Sequence, residues 1–170
     1  LEPTAAPGSI IAPPAANARD ARGLYTMVRW DQDPALEVWQ DPCVGGAVIR
    51  TYWKDVEPQP GHYNWDYLDR QFSNAETYGK KLHVIISPGF WSPDWVLNQV
   101  PTAEFQVRFG PDSGYQGPLP LPWGETYLNL WLDFVKVFGE RYHNRPLAIV
   151  SATGPTSQNG EMRLPIQHED

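Results

Sequence analysis

IRTYWKDVEPQPGHYNWDYLDRQFSNAETYGKKLHVIISPG, residues 49–89, contains two kinds of periodicity and a sharp break between them. Its first residues end a run rich in β-branched and aromatic side chains, Val44 to Trp53, which reads as a strand. Pro58, Pro60 and Gly61 then form a loop. From Trp65 to Tyr78 the apolar residues Trp65, Leu68, Phe72, Ala75 and Tyr78 recur at spacings of three and four, the mark of an amphipathic helix. Asn64 is placed to cap that helix, and Gly79 to stop it. Leu82 to Ser87, LHVIIS, is an almost unbroken apolar run. Strands of that kind are buried on both faces, as in parallel sheets. The stretch therefore predicts strand, helix and strand in one parallel unit.

The same alternation extends in both directions. Upstream, Gly23 to Trp30 is a strand candidate and Ala35 to Gln40 a short helix or turn. Downstream, Pro88 to Gly124 is long and irregular, with a short helix expected at Asp94 to Asn98 and an extended piece at Glu104 to Phe109. It ends in a Pro-rich loop, GPLPLPWG. Gly124 to Arg145 carries the best helical stripe, formed by Tyr127, Trp131, Phe134, Phe138 and Tyr142 with Leu130 and Val135 beside it. Leu147 to Ala152 is a fourth strand. Strands alternating with helices imply right-handed parallel βαβ units. Residues 1–22 are rich in Ala and Pro and have no period, so they read as a disordered tail or linker. Residues 23–170 read as one domain. The tail lacks the charged and long apolar regions of a signal peptide.

Composition narrows the function. The chain has 170 residues, 20 acidic against 13 basic side chains and a net charge of −7. That balance argues against nucleic acid, whose phosphates need Lys and Arg. No apolar stretch approaches the roughly 18 residues of a membrane span, so no membrane partner is expected. The single cysteine, Cys43, excludes an internal disulfide and a Cys-based zinc site, and no neighbour in sequence would activate it. His62, His143 and His168 share no ligand spacing, and His83 alternates within a buried strand, so no metal is expected. No phosphate-binding glycine motif and no Gly-x-Ser-x-Gly elbow occurs, which argues against nucleotide binding and common serine hydrolysis.

Eight Trp are far above ordinary use. In parallel α/β folds, function collects at the carboxyl ends of strands. After the first strand come Trp30, Asp31 and Asp33. Tyr52 and Trp53 end the second, with Asp55 and Glu57 beyond. After the third come Phe90, Trp91, Asp94 and Trp95, and beyond the fourth lie Asn159 and Glu161. Rings that stack on sugar faces, beside carboxylates for hydroxyls and acid–base work, point to a carbohydrate ligand. Trp65 and Trp131 lie on helical apolar faces and read as core, and Glu57 as a turn or hydrogen-bonding residue. Trp53, Trp91 and Trp95 are the candidate sugar-binding rings.

Arg50, Trp53, Glu57-Pro58, Gly61, Tyr63, Trp65 and Leu68-Asp69, followed by a helix ending at Gly79 and an apolar strand, resemble the second and third βα units of clan A glycoside hydrolases. WLDFVKVFGERYHNRPLAIVSATGP, residues 131–155, resembles their third helix and fourth strand. The resemblance covers about residues 23–165. It implies an α/β fold that is half of a (β/α)8 TIM barrel, four parallel strands with flanking helices. It also implies retaining hydrolysis of β-linked sugars without a cofactor. Glu161 matches the acid/base of that family, and Arg50 an arginine that supports the nucleophile. The family usually has Asn-Glu here, the Asn holding the sugar 2-hydroxyl; this chain reads Asn159-Gly160-Glu161.

A whole barrel needs about 250 residues, and four strands leave out the family's strand-seven nucleophile. The half-barrel is therefore expected to be completed by self-association, as a homodimer. In that arrangement the partner's third strand takes the place of strand seven. Asp94, beyond that strand, is the nearest candidate for a second carboxylate. The alternatives are a non-catalytic carbohydrate-binding half-barrel and a truncated fragment stabilised by dimerisation. The tail, and the usual location of such substrates, imply secretion or a periplasmic location.

Overall fold

The computed structural model describes residues 21–106 and 114–151. Its elements are β1 (Leu24–Met27), α1 (Leu36–Gln40), β2 (Val44–Tyr52), α2 (Trp53–Val56), α3 (Asp66–Thr77) and β3 (Lys81–Ser87). They continue with α4 (Asp94–Leu97), β4 (Thr102–Gln106), β5 (Gln116–Pro120), α5 (Glu125–Tyr142) and β6 (Leu147–Val150). A short 3-10 turn spans Gly89–Trp91. The strands β1, β2, β3 and β6 form one sheet in that order, and every pair is parallel. This is the parallel, helix-flanked sheet that the strand–helix alternation predicts, and the four-stranded half of a TIM barrel that the resemblance implies.

Alternation along the strands divides the sheet into two faces. Ala47, Ile49, Leu82, Val84, Ile86 and Leu147 pack with α3 and α5 in the main core. From α3 come Leu68, Phe72 and Ala75, and from α5 Tyr127, Phe134, Phe138 and Tyr142. The two helices are also joined by polar bonds. The Tyr142 hydroxyl donates to the Asp69 carboxylate at 2.9 Å, and Arg141 pairs with the same group. Val48, Arg50, Tyr52, His83, Ile85 and Ser87 occupy the alternate positions of β2 and β3 and so face away from the helices. That second face is the barrel-interior side.

The signals at both ends of α3 hold to within a residue, whereas the helix expected to run to Arg145 ends at Tyr142. Asn64 accepts the Asp66 backbone N–H at 3.2 Å, and Gly79 takes a left-handed conformation, φ 62°, just beyond α3. The strand expected over Gly23 to Trp30 is shorter, because the chain turns at Arg29–Gln32 and Asp31 adopts φ 52°. Trp53 leaves the expected strand to open α2.

The larger departure is in the stretch after β3. Part of the expected loop GPLPLP is β5, paired antiparallel with β4. Proline is tolerated in a strand only where its missing N–H faces away from the partner. The Leu121 N–H bonds to the Pro101 carbonyl at 3.0 Å, so the odd-numbered positions donate towards β4. Pro118 and Pro120, both even, lack donors only on the outer edge. Among the described residues β5 pairs with β4 alone.

Two glycines test this packing in opposite senses. A Cβ on Gly46 of β2 would overlap the Lys81 carbonyl oxygen and lie 2.8 Å from the Tyr25 ring. We expect Gly46→Ala to cost about 3 kcal/mol through overpacking against backbone. Gly139, within α5, has open space at the same position. Gly139→Ala is expected to raise stability by about 0.5–1 kcal/mol. Urea unfolding of both variants checks the pair.

Candidate functional site

The end of β1 is stitched to β2 before any side chain reaches solvent. The Val28 N–H bonds to the Val48 carbonyl at 3.2 Å, and the Asp31 N–H to the Arg50 carbonyl at 2.9 Å. Arg50 Nε donates back to the Val28 carbonyl at 2.9 Å. The loop is fixed from the other side by α3. Arg70 and Gln71 bond to the Asp33 carboxylate, and the Tyr67 hydroxyl donates to the Gln32 carbonyl at 3.0 Å. These bonds hold Trp30 against Tyr52, the last residue of β2, with ring centroids 4.6 Å apart and planes 12° from parallel.

The aromatic row continues across the strand ends. Tyr52 meets Trp91 at 4.8 Å, and Trp91 meets Tyr115 at 5.4 Å. Tyr115 meets Phe90 edge-on at 5.9 Å. Two cations lie over the row. The Arg50 guanidinium is 4.9 Å from the Trp30 ring, and Lys54 Nζ is 4.7 Å from the Trp91 ring, within cation–π range. The Phe90–Trp91 turn is held from two directions. Leu119 of β5 and Phe105 of β4 pack against it. From α5, the buried Tyr127 hydroxyl accepts the Gly89 N–H at 2.9 Å and lies 3.1 Å from Ser92 Oγ. Burial pushes the Tyr127 hydroxyl up to about 12.

Two carboxylates stand beside the row. Burial raises Asp31 above its ordinary value; a bond from Thr51 opposes this and the charge of Asp55 adds to it. Asp55, on α2, is raised by burial, with Lys54 opposing. Asp31 is the only non-glycine residue with positive φ among the described residues, a conformation that Asp and Asn tolerate best.

Below the row lies a second layer organised by Glu57. Its side chain is 4% exposed. One carboxylate oxygen accepts Trp53 Nε1–H at 2.9 Å and the other the Gly61 N–H at 3.0 Å. Tyr63 also donates to it, and burial followed by the Glu57 charge pushes the Tyr63 hydroxyl up. The Glu57 backbone carbonyl accepts Trp95 Nε1–H at 3.1 Å. Trp53 is completely buried among Trp95, Tyr127, Trp131 and Phe134.

The expected site residues thus separate. Arg50 and Trp91 come together in the row, joined by Trp30 and Tyr52. Trp53 does not face a ligand: its ring is enclosed and its one polar group is engaged by Glu57, a correction to its expected sugar contact. Trp95 is half-buried and tied to the same layer. Asp94 opens α4 and is exposed, and forms no side-chain bond among the described residues. Asn159 and Glu161 lie outside the described residues. Lys54, Tyr115 and the β4–β5 hairpin escaped the sequence reading. Among the described residues no cluster of three or more His, Cys, Asp or Glu could hold a metal, and no helix is long and apolar enough to cross a membrane.

No family model and no curated protein matches the chain. Among solved structures it is similar to a beta-galactosidase from the psychrophilic Marinomonas ef1, at 19% identity and a TM-score of 0.53. The match covers 76% of this chain and 21% of that one, so the chain spans about a fifth of that enzyme. The likeness is one of fold.

Two variants probe the layers separately. Glu57→Gln sets an amide NH2 against donors that now meet a carboxylate. It is expected to cost about 1–3 kcal/mol and to shift tryptophan emission in the native state. Asp31 binds its proton more tightly folded than unfolded. Stability is therefore lost as pH rises from the ordinary carboxylate value through the raised one. Asp31→Asn keeps the backbone conformation and removes that loss. Denaturant titrations should favour the variant more at pH 7 than at pH 3, whereas Asp31→Ala pays about 1–2 kcal/mol of strain at both.

Proposed function

We propose that this chain is the sugar-binding half of a glycosidase barrel, acting on O-glycosidic bonds of β-linked sugars or polysaccharides. The observation that carries the reading is the row Trp30, Tyr52, Trp91 and Tyr115 at the carboxyl ends of the strands, flanked by Arg50, Lys54, Asp31 and Asp55. Rings contact the apolar faces of sugars, while charged groups take the hydroxyls. The fold-level likeness to a beta-galactosidase supports the same class. In this reading Glu161, beyond β6, is the acid/base of a retaining mechanism, with Asn159 near the sugar 2-hydroxyl. Arg50 positions the partner carboxylate, and Trp91 and Trp95 shape the sugar-facing loop from beneath, Trp91 by backing the more exposed rings of Tyr52 and Tyr115.

Retention needs two carboxyl groups roughly 5–5.5 Å apart. We place the second across an interface with another copy of this chain, where Asp94 of that copy is the candidate. Each of β1 and β6 pairs on one side only among the described residues, which supports such closure. The test is hydrolysis of an aryl β-galactoside and an aryl β-glucoside, with Glu161→Gln expected to abolish turnover while oligosaccharide binding persists. Specific activity should rise with protein concentration, in step with dimer mass by light scattering. Binding without turnover at any concentration would instead favour a non-catalytic carbohydrate-binding protein. Neither binding nor turnover would sink both readings.

A further inference from the structure

Seven of the eight Trp side chains are buried or partly buried and engaged with other rings. Trp123 is the exception, at 72% exposed. It sits in a tight turn in which the Gly124 N–H bonds to the Leu121 carbonyl at 2.9 Å. Pro122 precedes it and fixes the backbone dihedral there. The Leu121 N–H is held by Pro101, and the Gly124 carbonyl by the Leu128 N–H in the first turn of α5. The indole therefore projects from a stiff connection between β5 and α5.

The position matters because of topology. In a βα unit the helix begins at the carboxyl end of the sheet, so the start of α5 lies at the same end as Trp30, Tyr52 and Trp91. Leu119, four residues earlier, packs on Phe90 and Trp91. Four residues span at most about 14 Å, which bounds the distance from that contact to Trp123. Glu125 and Thr126, both exposed, follow the indole and offer hydrogen-bonding groups beside a ring face.

We propose that Trp123 is an outlying stacking platform for the same carbohydrate chain, so that the preferred ligand is an oligosaccharide or polysaccharide. The inference rests on the sugar-binding reading of the strand ends and adds chain length to it. A protein partner fits less well. A stable interface takes about 800 Å² from each partner, and a single ring flanked by polar residues is far smaller.

The experiment measures binding of β-1,4-linked galactose and glucose oligosaccharides, from disaccharide to hexasaccharide, to the full chain and to Trp123→Ala, Trp123→Tyr and Trp91→Ala. Trp123 contacts no described ring, so its replacement should leave the melting temperature unchanged. The wild type should prefer the hexasaccharide. Trp123→Ala should lose about three- to tenfold in affinity for the hexasaccharide, the range of one aromatic contact, and nothing for the disaccharide. Trp123→Tyr should restore most of the loss. Trp91→Ala should weaken both ligands. Equal losses for short and long ligands, or no loss at all, would overturn the platform while leaving the strand-end site standing. A change in self-association without a change in sugar affinity would overturn it in favour of a contact between copies. Failure of every ligand to bind the wild type would remove the sugar-binding reading itself, and the platform with it.

Discussion

Among the described residues the buried Glu57 carboxylate is held by hydrogen-bond donors and by no ion pair, and those donors fix the loops around it. A buried charge is tolerated when hydrogen bonds satisfy its oxygens. Glu57 takes those bonds from Trp53 on α2, from Gly61 in the Pro/Gly loop and from Tyr63. Its own carbonyl receives Trp95 from the segment after β3. Three pieces of chain, α2, the loop after it and α4, are thereby held at fixed separations. Trp95 lies four residues beyond Trp91, so the same bond ties the segment that carries the aromatic row to the end of α2.

The second anchor comes from α5. Tyr127 reaches through the core to hold the Gly89–Ser92 turn, while Leu119 and Phe105 cover it from the hairpin. The turn is thus fixed by groups far away in sequence, and its aromatics are preorganised rather than mobile. Preorganisation lowers the entropy lost when a ligand is bound.

Much of this was legible in the sequence, for a physical reason. The periods of Trp65–Tyr78, Leu82–Ser87 and Tyr127–Tyr142 report burial on one or both faces, and burial is what builds the half-barrel. Strand-end positions likewise located Trp30, Tyr52 and Trp91. The roles of individual rings were not legible, because a Trp in a core and a Trp on a site look the same in one dimension. Trp53 went inward because Glu57 stands four residues on and one helical turn brings its carboxylate to the indole N–H. The β4–β5 hairpin was hidden by its prolines, whose compatibility with a strand depends on which edge has a partner. Lys54 joined the site because α2 begins immediately after β2, turning its side chain back over Trp91.

Those prolines have a consequence for the chain before it finishes folding. A two-stranded ribbon with a bare outer edge is a template on which other extended chains can dock. Here the edge of β5 has no N–H to give at Pro118 or Pro120, so an incoming strand finds a ladder with two rungs removed. The segment that presents Phe90, Trp91 and Tyr115 can therefore stay apolar enough to hold its rings together without seeding aggregation through the ribbon that supports them.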